Sequence, residues 1–199
     1  MSDQSVKRGR SVARAKSDDK REAILESAIR AIAEQGLGVS TAAIAARAGV
    51  SNGTLFNYFT TKADLLNQLF VALKTEVGAT VMEGPAPDGG LRPQAERAWA
   101  RWMAWGTADP SRKRALALLC TSHQITAESH AAAADAMAGV TELLERGRVT
   151  GVLRDQPLDY AVEVAEALAD TTMNFMIREP AAAGRHSAAG FAALWRILT

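Results

Sequence analysis

The sequence predicts an all-α fold, and three observations carry that prediction. Forty of the 199 residues are alanine, the residue with the highest helix propensity. Larger apolar residues are fewer and show little of the Val, Ile and Tyr enrichment that strands favour. Where they occur, they recur three and four positions apart, which gathers them on one side of a helix. A chain of this length allows one domain, or two small ones sharing a core.

The elements follow in order. Residues 1–17 are polar and basic without apolar periodicity and read as a flexible arm. Asp19 and Glu22 make a capping box for a first helix with Ile24, Leu25, Ala28, Ile29 and Ile32 on its apolar side, and Gly36 supplies the stop. Ser40 caps a short helix through Arg47. Gly49 sits in a tight turn, and Ser51 caps another short helix through about Tyr58. Thr61 to Asp64 form a second capping box, opening a long helix with Leu65, Leu66, Leu69, Phe70, Leu73 and Val77 on one side. The loop from Gly84 to Gly90 ends this region. Five more helices are predicted at about 92–107, 110–123, 127–149, 158–178 and 187–198, which brings the total to about nine. Pro110 and Pro157 stand where a first helical turn tolerates proline, and Pro180 and Gly184 separate the last two helices.

Charge and cysteine content narrow the function classes. The net charge is only +1, yet residues 1–62 hold ten Lys/Arg against six Asp/Glu, leaving the remainder at −3. That asymmetry suits an anionic partner for the N-terminal part. One cysteine, Cys120, excludes an intrachain disulfide, and no run approaches the ~18 apolar residues of a membrane helix. The basic opening leads into Asp18 and Asp19 rather than an apolar stretch, so it is no secretory signal. A cytoplasmic location without membrane contact is expected.

The informative stretch is Ser40 to Phe59. Two short helices that cross steeply need a small residue at the contact, a glycine in the turn and apolar anchors on either side. Ala45, Gly49 and the set Ile44, Val50 and Leu55 supply these in order, which is a helix-turn-helix. A helix made only for packing would be apolar on its far side, whereas the second helix offers Asn52, Thr54, Asn57 and Tyr58. These are short donors and acceptors suited to base edges and phosphates.

Residues 19–66 resemble the DNA-binding region of the tetracycline-repressor-like (TetR) family of bacterial regulators. The likeness rests on Ile44-Ala45, Ala48-Gly49-Val50-Ser51, Gly53-Thr54-Leu55, Tyr58-Phe59, Lys62 and Asp64-Leu65-Leu66. It implies that Thr41, Tyr58 and Lys62 meet phosphates. Asn52, Gly53, Thr54 and Asn57 would face the major groove, and Ser51 would cap its helix first and touch DNA second. Two residues depart from the family pattern. Phe56 replaces a tyrosine whose hydroxyl contacts the DNA backbone, and Ala42 stands where some relatives offer a long side chain to a base. The arm, through Lys7, Arg8, Arg10 and Arg14, would compensate by lying along phosphates or entering a minor groove.

The same resemblance implies a domain plan: an arm at 1–17, a helix-turn-helix domain at 18–78, and an effector-binding and dimerisation domain at 79–199. The long fourth helix would join the two domains. The fold would pair into a homodimer that reads a palindromic operator in double-stranded DNA. The dimer interface would fall on the last two long helices, with Ala161, Ala165, Leu168, Phe191, Leu194, Trp195 and Leu198. A small, mostly apolar effector would be held by Trp99, Trp102, Met103, Cys120, His123, Met137, Thr172, Phe175 and Met176, with Cys120 acting as a small buried hydrophobe.

Rival readings stay open at this point. An orphan member would bind DNA with a filled core and no ligand. An interaction module would have lost DNA binding, which Phe56 and Ala42 suggest. A helical enzyme would use Cys120 and His123, three residues apart and on one side of a helix, but no third ligand or orienting carboxylate is spaced to join them. Neither catalysis, nor a metal, nor a cofactor is expected.

Overall fold

Caps and stops partition the chain almost as its residues suggest. The computed structural model describes residues 3–85 and 88–199, with side chains from Ser17 onward. Among the described residues there are ten α-helices and no strand: α1 (Asp3–Gln35), α2 (Thr41–Arg47), α3 (Asn52–Tyr58), α4 (Lys62–Met82), α5 (Leu91–Ala108), α6 (Pro110–Cys120), α7 (Ala127–Ala136), α8 (Ala138–Gly147), α9 (Leu158–Arg178) and α10 (Ala183–Leu198). None of them is long and apolar enough to cross a membrane.

Four boundaries differ from the prediction, each for a local reason. Helix α1 starts at Asp3 rather than near Asp19, so the capping box at Asp19 starts nothing. No proline interrupts residues 3–18, and extending an existing helix is cheap once its nucleus is held by packing. The side chains of Lys7, Arg8, Arg10 and Arg14 lie outside the described residues. Helix α6 stops at Cys120, where Ser122 N donates to the Leu119 carbonyl at 3.0 Å and Ile125 N to the Ser122 carbonyl at 3.2 Å. The predicted 127–149 helix breaks at Met137, whose backbone (φ −95°, ψ 3°) leaves the helical region. There the Ala136 carbonyl presses against Gly78 of α4, where an added Cβ would sit 2.3 Å from it. Finally, α10 begins at Ala183, straight after a 3-10 turn at Pro180–Ala182, and takes Gly184 into its first turn.

The chain divides into two units. One comprises Met1–Phe70 and Arg114–Thr126, the other Val71–Lys113 and Ala127–Thr199, so the boundaries fall within α4, within α6 and before α7. In the first unit, α1 buries Ile24, Leu25, Ala28, Ile29 and Ile32, α2 buries Ile44 and Ala45, and α4 buries Leu65, Leu66, Leu69 and Phe70. Full burial of one such large side chain stabilises by ~1.5–3 kcal/mol, so this set is what holds the small unit together. Asn67 of α4 secures the segment after α6: its amide donates to the Gln124 carbonyl and accepts from Thr126 N, both at 2.8 Å.

The second unit is built on α5, α9 and α10, whose Trp99, Met103, Ala165, Ala169, Met173, Phe191, Leu194 and Leu198 form one core. One close approach in this core is at Gly190. A Cβ there would lie 2.4 Å from the Thr172 hydroxyl and 2.7 Å from the Trp99 ring, so only glycine lets α10 pack this tightly. Charged pairs outside the core tie further residues of this unit to α9: Lys74 of α4 to Glu166 at 2.6 Å, and Lys113 of α6 to Asp170.

Candidate nucleic-acid interface

The helix-turn-helix is set by its caps and by one glycine. Ser40 Oγ accepts from Ala43 N at 3.1 Å, opening α2, and Ser51 Oγ accepts from Thr54 N at 3.0 Å, opening α3. Between them Gly49 adopts φ +69°, which L side chains rarely take, and Val50 N returns to the Ala45 carbonyl at 3.0 Å. Ile44 and Leu55 are fully buried, pinning both helices to the unit.

That anchoring decides which side of α3 looks outward. With Leu55 and Phe59 inward, Asn52, Gly53, Phe56 and Asn57 are exposed, while Thr54 and Tyr58 are half-buried. Of the predicted contacts, Ser51, Asn52, Gly53, Thr54, Asn57 and Tyr58 lie on α3 or its cap and Thr41 and Lys62 open α2 and α4, though not all are unengaged. The Ser51 and Thr54 hydroxyls lie 2.9 Å apart, in hydrogen-bond contact. Tyr58 Oη accepts from the Ser17 hydroxyl at 3.4 Å. Thr41, half-buried, opens α2. Lys62 Nζ donates to the Leu37 carbonyl at 2.6 Å, which ties the start of α4 to the α1–α2 loop and leaves two of its protons for another acceptor. Arg47 is engaged with Glu34, its Nη2 within 2.9 Å of both carboxylate oxygens.

Asp64 fixes the entry into α4. Its carboxylate accepts from the Thr60 amide at 2.8 Å, the Thr60 hydroxyl at 3.1 Å and the Gln68 amide at 2.8 Å, while Asp64 N donates to Thr61 Oγ1 at 3.0 Å. The Gln68 bond, then the Thr60 bonds and the nearby Arg21 guanidinium, hold its pKa below the usual 3.8 against the opposing effect of burial. Arg21, which sequence reasoning passed over, also bonds Gln68 Oε1 at 2.7 Å and lies over the Phe59 ring. These partners stand 47 and 38 positions away in the chain, so no local pattern signals them.

The predicted effector residues do not form one group. Trp99 and Met103 are buried in the second unit's core, with Trp102 and Met176 packed against it, and the Trp99 indole donates to the Ser187 carbonyl at 3.0 Å. Thr172 is buried and donates to the Leu168 carbonyl at 2.7 Å. Met137 is buried at the α7–α8 break. Phe175 is 38% exposed, beneath the Arg178 guanidinium. Cys120 is exposed rather than buried, because α6 ends there, and His123 lies exposed in the following turn. The two therefore share no helical face, and both belong to the first unit. Among the described residues no group of three His, Cys, Asp or Glu is placed to hold a metal ion.

Of the predicted dimer residues, Ala161, Ala165, Phe191, Leu194 and Leu198 are buried within the single chain, and four of them line its core. Leu168 and Trp195 are half-buried at its edge. The seam these residues form is thus in large part the one between α9 and α10 of one chain.

Comparison with known proteins agrees with this geometry. Residues 24–69 match the family described as "Bacterial regulatory proteins, tetR family". The structure is similar to that of a protein assigned as a TetR-family transcription regulator from Shewanella sp. PV-4, at 29% identity over 88% of this chain and 96% of that one, with a TM-score of 0.79. A TetR-family transcription regulator from Marinobacter aquaeolei VT8 has the same fold at 23% identity, over 92% and 96%, with a TM-score of 0.76. So does the TetR-like regulator LfrR from Mycobacterium smegmatis, solved in complex with proflavine, at 20% identity over 88% and 95% and a TM-score of 0.66.

Proposed function

Because the chain belongs to the TetR family of bacterial regulatory proteins, we propose that it is a cytoplasmic transcriptional repressor, not an enzyme, that binds a palindromic operator as a homodimer. The observation that carries this reading is the outward face of α3, where Asn52, Gly53 and Asn57 stand exposed on a helix held from behind by buried Leu55. Asparagine bonds adenine through two atoms at once, and an unhindered glycine lets the backbone come close to the duplex. Thr41, Tyr58 and the two remaining protons of Lys62 fix register on phosphates, with Ser51 and Thr54 supporting α3 from its start.

Asn57→Ala combined with Lys62→Gln is expected to abolish the gel shift of duplexes recovered by unbiased operator selection, with the melting temperature nearly unchanged. A combined variant that still shifts those duplexes would refute the reading. The homodimer uses the outer edges of α9 and α10, where Leu168 and Trp195 keep surface.

An effector binding in the second unit would release the operator only through tighter binding to the DNA-free state. The neighbour with proflavine, a planar aromatic cation, supports a small-molecule effector. A second reading, an orphan regulator without effector, is favoured by the burial of Trp99 and Met103 to 3% and 1% exposure, which commits them to packing. Proflavine itself is a first probe: release of the selected operator supports the effector reading.

A further inference from the structure

Phe56 is the one side chain on the outward face of α3 that cannot donate or accept a hydrogen bond. It is 41% exposed, one turn from Asn52 and Gly53 and adjacent to Asn57. Leu55 and Phe59 already supply the anchoring of this segment, both fully buried. The phenyl ring therefore sits among the proposed base-reading groups while contributing little to the core.

The chemistry of the major groove narrows what such a ring can meet. The edges of guanine, adenine and cytosine carry polar atoms there, and pressing an apolar ring on them removes their water without replacing the hydrogen bond. Thymine alone presents an apolar group, its C5-methyl. Gly53, three residues earlier on the same side, carries no side chain, so nothing at that position screens the ring from the duplex. We infer that Phe56 reads thymine, packing its ring against the C5-methyl group at one base pair in each operator half-site. This inference rests on the DNA-binding reading above and adds a specificity-determining residue to it.

The test replaces methyl groups on DNA rather than only side chains on the protein. Operators are selected with the wild-type protein and again with Phe56→Ala, and affinities are measured by fluorescence anisotropy on duplexes with each thymine replaced in turn by deoxyuridine. One symmetry-related pair of positions is expected to require thymine in the wild-type selection and to lose that requirement in Phe56→Ala. Removing the methyl there weakens wild-type binding about fourfold per half-site, the equivalent of one buried methyl group, and leaves Phe56→Ala unchanged. Phe56→Leu, which keeps an apolar side chain, retains part of the methyl dependence.

Equal binding of thymine and deoxyuridine duplexes by the wild type, or an undiminished methyl dependence in Phe56→Ala, overturns the inference while leaving DNA binding intact. A wild-type protein that selects no sequence at all overturns the DNA-binding reading and this inference with it. Melting curves show whether each variant is folded.

Discussion

Two glycines of opposite kind separate what the fold needs from what the proposed DNA contact needs. At Gly53 the backbone is ordinary α-helix, and the atom nearest to an added Cβ is Ser51 Oγ at 3.9 Å. Glycine there costs helix stability and relieves no crowding within the chain, which fits the close approach of the duplex proposed for it. Gly53→Ala should stabilise the protein by about 0.5 kcal/mol in urea denaturation while weakening operator binding. Gly190 is the reverse. An added Cβ meets Thr172 and Trp99 at 2.4 and 2.7 Å, so Gly190→Ala should destabilise by about 1–3 kcal/mol. At this scale the proposed reading surface was legible in the sequence, because Asn52, Gly53 and Asn57 are polar or small where a packing helix would be apolar. The second employments of Lys62 and Tyr58 were not, since their partners Leu37 and Ser17 lie 25 and 41 residues away.

Helix ends that are written in short patterns could be read, and those decided by distant contacts could not. Ser40, Ser51 and Thr61 cap where predicted because a cap needs only a side chain three residues before its amide. The break at Met137 depends on Gly78 in another helix, and the segment after α6 is held by Asn67 of α4, so neither leaves a local trace. The α4 cap also carries a pH signature. Asp64 is ionised in its bonded state and its folded pKa lies below the unfolded value near 3.8. Its contribution is therefore present above that value and is lost as pH falls through the lower, folded pKa. Asp64→Ala should cost about 1 kcal/mol at neutral pH, and the gap between variant and wild type should narrow below pH 3.8, as measured by denaturant unfolding across that range.

For the molecule as a whole, a net charge of +1 gives DNA little general attraction, so affinity depends on how charge is distributed. Residues 1–62 carry the excess of cations, the remainder an excess of acids, and Lys62 stands at the boundary with two protons still to donate. Each phosphate neutralised releases counterions, so the logarithm of the binding constant falls with the logarithm of salt concentration by about 0.9 per contact. This turns one substitution into a count of protomers. Lys62→Gln removes the charge and keeps a donor for the Leu37 carbonyl, so the fold is preserved while a phosphate contact weakens. If a dimer sits on the palindrome, the salt slope should shrink by about two, one contact from each protomer. A change of about one would mean that a single copy engages the duplex. No change would mean that Lys62 only ties α4 to the preceding loop. The slope, measured by anisotropy from low to physiological salt on the selected operator, thus tests at once whether Lys62 meets phosphate and whether two copies of the chain bind together.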